Sequence, residues 1–216
     1  MQSENVRQRH VGHSFVVRFT HWVNVFAMVC MIMSGMGIYN AHPILPFTFP
    51  QLLTLGGWLG GSTSWHFAVM WLLVGNGLVY LLFGCLSGDL IRRLLSFGPV
   101  DLLRDLRLAL TFRLSHGSGS YNAVQKAMYV GVLVLGVLMV ASGLAIWKPV
   151  QFAWLTALFG GFAFARVVHF LGMAAFLTFI VVHIAMVALF PRTLLSMVFG
   201  AWRFGKTKEP GHGQND

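Results

Sequence analysis

Long apolar segments alternate with short polar ones along most of this chain. Four of the apolar segments are long enough to cross a bilayer core, which takes about 20 helical residues. They cover about residues 15–39, 64–86, 123–147 and 166–190. A further apolar segment, 150–165, is too short and contains a glycine pair, so an interfacial or re-entrant piece is favoured over a fifth span. The pattern predicts an all-α membrane protein built as a four-transmembrane-helix bundle.

The polar segments divide the chain into an arm, a membrane domain and a tail. We expect a polar N-terminal arm at 1–14, a transmembrane domain at 15–200, and a disordered tail at 201–216. No small-residue cleavage site follows the first apolar segment, so this segment is predicted to remain as a span. The connection between the second and third spans mixes leucines with Arg and Asp, which predicts amphipathic helix on the inner membrane surface.

The composition supports a membrane protein. Of the 216 residues, 56% are hydrophobic and only 10% are charged, whereas soluble domains carry roughly 25% charged residues. The two cysteines, Cys30 and Cys85, lie inside apolar segments. This placement argues against a disulfide framework and against a cysteine-based zinc site.

Basic residues are confined almost entirely to one side of the predicted bundle. Thirteen of the fifteen Lys and Arg residues fall in the arm or at the entry to the first span, in the connection that leads into the third span, or near the C-terminus. Only Lys148 and Arg166 fall on the other side. Since positive residues are retained on the cytoplasmic side, both termini are predicted to be cytoplasmic. The net charge of +9 is then a signal of topology and gives little support to nucleic-acid binding.

Four of the nine histidines lie within the predicted spans, where ionisable side chains are costly and are candidates for function. His21 begins the first span, His66 begins the second, and His169 and His183 share the fourth. His169 and His183 are fourteen positions apart, which in a helix is a rise of roughly 21 Å and a rotation about 40° short of four full turns. Both histidines therefore lie on one side of the helix. The topology pairs His21 with His183 at the inner face, and His66 with His169 at the outer face.

A pair of neutral imidazoles on facing helices is what axial ligation of a haem iron requires. The two pairs therefore predict two b-type haems. Zinc would need further His, Cys or carboxylate ligands, and all six acidic residues lie outside the spans. The same absence of carboxylates argues against a proton relay or a cation transporter. The alternative is that the histidines only hydrogen-bond to neighbouring helices.

Two glycines and two arginines are candidates for the haem surroundings. Gly35 lies fourteen residues after His21 on nearly the same face, and Gly143 lies at a comparable outer depth in the third span. At either glycine a porphyrin can approach the backbone, although plain helix packing is an equal alternative. The glycines lie in similar segments, SGMGIYN and SGLAIWKP, which suggests a shared packing device. Arg18 and Arg166 each precede a predicted ligand by three residues and can pair with haem propionates or anchor the spans in lipid.

These motifs together resemble the four-helix dihaem cytochrome b subunits that anchor bacterial formate dehydrogenases, nickel-iron hydrogenases and related molybdenum enzymes. The resemblance covers about residues 13–200. It is carried by RFTHW in the first span, His66, YNAVQK before the third span, SGLAIWKP at its end, and the two histidines of the fourth span. It implies the same pairing of ligands as the topology does.

The resemblance further implies an electron-transfer subunit, rather than a complete enzyme, in the bacterial inner membrane. Such a subunit connects a redox enzyme on the outer face with the quinone pool. Asn122 and Gln125 match the family residues beside a quinone near the inner haem, where amides can hydrogen-bond to a carbonyl; a helix capping box is the alternative role. Two other functions stay open: a stand-alone dihaem quinol oxidase with a soluble acceptor, and a non-redox metal carrier that uses the histidines.

Overall fold

The structure, a computed structural model, describes residues 14–86, 88, 100, 104, 107, 123–189 and 191–199. These residues form helices joined by turns, and no strand occurs among them. The helices are α1 (Phe15–Ala41), α2 (Leu59–Leu86), α3 (Ala123–Trp147), α4 (Ala153–Leu158), α5 (Phe162–Leu189) and α6 (Pro191–Phe199), with a 3₁₀ turn at Gln51–Leu53. In this part of the chain four helices, α1, α2, α3 and α5, are long and apolar enough to cross a membrane. The prediction of an all-α protein with four spans is confirmed.

The second span begins earlier than the sequence predicted. α2 starts at Leu59 rather than near residue 64, and the Ser62 amide already donates to the Trp58 carbonyl at 2.8 Å. The glycine-rich stretch before residue 64 belongs to the helix, and glycine there allows close packing against the preceding loop. A Cβ on Gly61 would collide with the carbonyl oxygen of Gly56 in the preceding loop.

The segment between the third and fourth spans is a short helix followed by a tight turn. α4 packs through Leu155 against Ala145 of α3 and Ala165 of α5. Gly160 and Gly161 then adopt φ values of 77° and 106°, a conformation that glycine takes at little steric cost. α5 therefore begins at Phe162 instead of near residue 166, and the segment contains no fifth span.

The spans pack side by side as antiparallel neighbours. Gly35 of α1 lies beside His66 of α2 at one end of the pair, and Thr20 of α1 bonds to Asn76 of α2 at the other. α3 and α5 pair in the same way around Met139 and Gly172. A small apolar core of Ile32, Met36 and Met173 joins α1 to α5. We call the end with the α1–α2 loop the loop end, and the opposite end, where α1 begins, the terminal end.

The α1–α2 loop is folded back on the loop end by reciprocal hydrogen bonds. The Asn40 amide both donates to and accepts from the backbone of Phe49, each at 2.8 Å. The Tyr39 hydroxyl accepts from the Leu45 amide at 3.1 Å and donates to its carbonyl at 3.3 Å. The Tyr39 ring also stacks on Phe170 of α5, with centroids 5.0 Å apart. The loop is therefore tied to the helix that carries two of the candidate ligands.

Candidate functional site

The four span histidines form two facing pairs at opposite ends of the bundle. At the loop end, the ring centroids of His66 and His169 are 6.4 Å apart, with an interplanar angle of 67°. At the terminal end, those of His21 and His183 are 6.2 Å apart, with an angle of 59°. Because α5 carries one member of each pair, its rise separates the pairs by roughly 21 Å. The structure brings together the partners that the topology paired, and their ligation of a metal stays a prediction.

The centroid distances suit two rings that share one metal. An imidazole nitrogen binds a metal at about 2 Å and lies roughly 1 Å from the ring centre, so the centroids fall roughly 6 Å apart. Two imidazoles supply only two ligands, and the described residues contain no group of three or more His, Cys, Asp or Glu suited to a metal ion. The other ligands would have to come from the bound group itself, as they do from the four nitrogens of a porphyrin.

A buried serine holds each histidine of the loop-end pair at its Nδ1 atom. Ser34 Oγ lies 3.0 Å from His66 Nδ1, and Ser142 Oγ lies 3.0 Å from His169 Nδ1. Both serines are 0% exposed. Each hydroxyl also donates to the carbonyl four residues earlier in its own helix, at 2.7 Å and 2.8 Å respectively. Nε2 is therefore the nitrogen that each ring has left for a ligand.

The two predicted glycines lie directly against the loop-end rings. A Cβ on Gly35 would lie 3.6 Å from His66 Cε1, and a Cβ on Gly143 would lie 3.3 Å from His169 Cε1. The absence of a side chain thus leaves room beside each imidazole. The contribution of these glycines to a haem site stays a prediction.

The terminal-end pair is more open and is bordered by aromatic rings. His183 is exposed and His21 is half-buried among the described residues. The Phe179 ring stacks on His183 with centroids 5.7 Å apart, and Trp22 lies edge-on to His21 at 5.5 Å. The indole of Trp22 also donates to the Met197 carbonyl of α6 at 3.4 Å. Among the described residues, the terminal-end pair is therefore less enclosed than the loop-end pair.

A buried amide joins α2 to the turn of α1 that carries His21. Asn76 Nδ2 donates to the Thr20 carbonyl at 2.8 Å and to Asn24 Oδ1 at 2.7 Å. Asn76 is 9% exposed and Thr20 is 1% exposed. A polar contact buried between two spans is expected to hold this turn of α1 in place.

The two predicted arginines have different surroundings. Arg18 precedes His21 by about one turn, and its Nε is buried without a hydrogen-bond partner among the residues that the structure describes. A buried orphan donor on a cation fits a bound carboxylate such as a haem propionate. Arg166 precedes His169 by the same interval, and its guanidinium donates to the His42 carbonyl at 2.5 Å. Arg166 therefore ties the α1–α2 loop to α5.

Several predicted features lie outside the described residues. Asn122 is one of them, and Gln125 lies in α3 without a described side chain. The structure also leaves undescribed residues 1–13 of the arm, most of the connection between α2 and α3, and the tail. A quinone site at Asn122 and Gln125 stays a prediction.

Sequence reasoning missed three of the buried polar residues near the histidines, namely Ser34, Ser142 and Asn76. The signal for the serines was present, because each directly precedes a glycine in the repeated SG segments, but only the glycines were interpreted, as places for a porphyrin or for helix packing. The signal for Asn76 was an uncharged amide in the middle of an apolar span, where polar side chains seek partners on other helices.

Four membrane-spanning helices that carry two facing histidine pairs have the construction of a membrane cytochrome of the b type. The comparison with protein families agrees, because residues 12–200 match the family described as prokaryotic cytochrome b561. The chain belongs to this family, and the resemblance to cytochrome b subunits is confirmed. It is thus a multi-pass membrane cytochrome that serves electron transfer, and the family implies b-type haem.

A curated relative is similar over nearly its whole length. It is the putative protein-methionine-sulfoxide reductase subunit YedZ1 of Azospira oryzae, 49% identical over 185 residues, which cover 85% of this chain and 93% of the relative. No solved structure matches the chain.

Proposed function

We propose that the chain is a membrane-anchoring dihaem subunit that transfers electrons between a redox enzyme on the outer face and the membrane quinone pool. The observation that carries this proposal is the presence of two histidine pairs with centroid separations of 6.2 Å and 6.4 Å at opposite ends of one bundle. A single site would serve one face only. Two sites provide an electron path across the membrane.

The residues at each end have distinct tasks. His66 and His169 hold one haem at the loop end, where Ser34 and Ser142 orient the rings. His21 and His183 hold the other haem, and the buried Arg18 Nε is available to one of its propionates. Each bound haem supplies reversible one-electron exchange at its iron. The protein supplies ligand geometry, counter-charge and a low-dielectric setting.

The orientation follows from the distribution of basic residues. Lys148 and Arg166 belong to the loop end, and the other basic residues belong to the opposite side. By the positive-inside rule the loop end is the outer face, and both termini lie in the cytoplasm of a bacterial cell with the chain in its inner membrane. The open terminal-end pair then faces inward, where quinone exchange at Asn122 and Gln125 is proposed.

The name of the relative suggests one class of enzyme as the partner on the outer face. That protein is called a subunit of a protein-methionine-sulfoxide reductase, so we extend to this chain a reductase partner that acts on oxidised methionine in proteins. Reduction of a sulfoxide to a thioether takes two electrons and two protons and releases water. Oxidation of one quinol supplies those two electrons, so electrons would flow from quinone pool to outer face. A molybdenum enzyme or hydrogenase is the wider partner class that the resemblance implies.

The first experiment is a reduced-minus-oxidised spectrum of the purified chain. We expect the signal of two low-spin b haems, and its absence would contradict the proposal and favour the non-redox metal carrier. His183→Ala should remove the inner haem alone, and His66→Ala the outer haem alone. Loss of the same haem in both variants would refute the pairing.

The second experiment identifies the partner and the quinone site. We expect a reductase subunit to co-purify and quinol to drive reduction of a peptide that contains methionine sulfoxide. If the chain purifies alone and quinol reduces a soluble acceptor instead, the stand-alone quinol oxidase is the better description. Asn122→Leu should slow turnover with quinol while the content of both haems stays unchanged.

A further inference from the structure

The loop-end site is built twice from the same structural unit. In the α1–α2 pair, Ser34 on the first helix bonds to His66 on the second. In the α3–α5 pair, Ser142 on the first helix bonds to His169 on the second. Both distances are 3.0 Å, both serines are 0% exposed, and both precede a glycine that lies against the ring. Two independent occurrences of one arrangement indicate a functional requirement of the imidazoles rather than a local packing accident.

The hydrogen-bond inventory assigns a direction to these contacts. A serine hydroxyl has one hydrogen and two acceptor lone pairs. Ser34 donates its hydrogen to the Cys30 carbonyl at 2.7 Å, and Ser142 donates to the Leu138 carbonyl at 2.8 Å. An imidazole that binds iron through Nε2 carries its proton on Nδ1, so each Oγ accepts from the ring while its own hydrogen goes to the backbone. In the opposite tautomer the hydroxyl would turn to donate to Nδ1, and Nε2 would carry the ring proton and could not bind a metal.

We propose that Ser34 and Ser142 are positioning residues that set the tautomer and the donor strength of both outer haem ligands. The inference rests on the proposed function. Each serine accepts from Nδ1–H, beside the backbone carbonyl of Met31 for His66 and of Met139 for His169, and so favours the proton on Nδ1 with the Nε2 lone pair directed at the shared ligand. A hydrogen bond accepted from Nδ1–H raises the basicity of a metal-bound imidazole. A more basic ligand stabilises the oxidised iron, so the two serines together lower the potential of the outer haem.

The test compares Ser34→Ala and Ser142→Ala with the wild-type dihaem protein by redox titration of the haem spectra. Loss of a partner that orients a ligand typically weakens metal binding by roughly 10–100-fold. If this weakening falls mainly on the oxidised state, each tenfold raises a one-electron potential by about 59 mV. We expect the outer potential to rise in each variant and to rise further in the double variant. The inner haem of the same molecule is the internal reference and should keep its potential.

Two further variants distinguish an effect on the histidine ligands from a general disturbance of the helix packing. Ser34→Cys keeps the size of the side chain but offers a weaker hydrogen-bond partner, so its shift should have the same sign and be smaller than that of Ser34→Ala. It also carries the test if the alanine variant fails to assemble. Ser62→Ala is the matched control, because Ser62 is 1% exposed in the same helix pair and packs against Gly37. This control should leave both potentials unchanged.

The possible results lead to different conclusions. The outer haem signal is the one that His66→Ala removes. Unchanged outer potentials in both alanine variants would overturn the inference, and so would equal shifts in both haems or a shift of the same size in Ser62→Ala. Loss of the outer haem alone in the alanine variants, with retention in Ser34→Cys, would support it. Failure of the proposed function is recognised separately, because the wild-type protein would then show no pair of b-haem signals.

Discussion

Gly143→Ala is expected to weaken the binding of the proposed outer haem, whereas Gly35→Ala should leave this binding unchanged. The new Cβ at position 143 would lie 3.3 Å from His169 Cε1, against 3.6 Å for the corresponding pair at position 35 and His66. Carbon atoms pack best at about 3.5–4.0 Å. His169 must therefore move by a few tenths of an ångström, while His66 already has an ordinary contact distance.

The size of the effect follows from what that movement breaks. The His169 ring would move away from α3. Its 3.0 Å hydrogen bond to Ser142, which lies on α3 next to Gly143, would lengthen towards the limit of about 3.5 Å. Overpacking of this kind costs about 1–3 kcal/mol. Since about 1.4 kcal/mol is tenfold in a dissociation constant, the outer haem should be held roughly 5- to 150-fold less tightly.

The assay is the ratio of outer to inner haem after prolonged washing in detergent, read from reduced-minus-oxidised spectra. Gly136→Ala is the control on the same helix, because a Cβ there meets no described atom within 4 Å. We expect selective loss of the outer haem in Gly143→Ala and wild-type ratios in Gly35→Ala and Gly136→Ala. Equal loss in the variants of Gly35 and Gly143 would refute the reasoning from the imidazole contact. It would indicate instead that both glycines face the porphyrin directly.

Three further changes test other parts of the bundle. Arg18→Gln should reduce retention of the inner haem in the same washing assay, because it removes the buried cationic donor, and equal loss of both haems would contradict this role. Asn76→Leu breaks two hydrogen bonds of about 1 kcal/mol each and should lower the thermal unfolding midpoint in detergent; an unchanged midpoint would show that the amide contact adds no stability. Gly37→Ala forces a Cβ onto Ser62 and should destabilise the protein by about 1–3 kcal/mol in the same measurement. Gly75→Ala in α2 is its control, because the added Cβ has no described atom within 4 Å. An equal loss of stability in this control would contradict the steric explanation.

The sequence was sufficient to predict the spans and the partners of the four histidines. Span length is a local property of hydrophobicity, and the depth of a side chain follows from helix rise and topology. The fourteen-residue interval between His169 and His183 therefore located both pairs before any packing was known. α2 begins at Leu59, before the predicted span start near residue 64, because a glycine-rich stretch is loop or helix according to what packs against it. Here the Gly56 backbone packs against Gly61.

The serine partners could not be predicted, because they depend on helix rotation. Whether a serine hydroxyl on one helix faces an imidazole on another depends on how the two helices cross, and long-range contacts determine the crossing. The sequence contains the SG repeat, but several roles for a repeated small dipeptide fit a membrane helix equally well. The 3.0 Å contacts to His66 and His169 distinguish these roles, and only the packed bundle provides them.

The described hydrogen bonds contact the imidazole rings at one end of the bundle and the backbone at the other. This difference determines how the redox potential of each proposed haem can be changed. At the loop end, serines contact the imidazole nitrogens themselves, so a change of one hydroxyl acts on ligand strength. At the terminal end, the described bond from Asn76 acts on the Thr20 carbonyl, which is part of the backbone beside His21. A change there acts on the position of that helical turn. If the loop end is the outer face and the proposed function holds, changes of single serines can adjust the outer potential to a partner enzyme without a change at the inner site, where we propose that quinone binds.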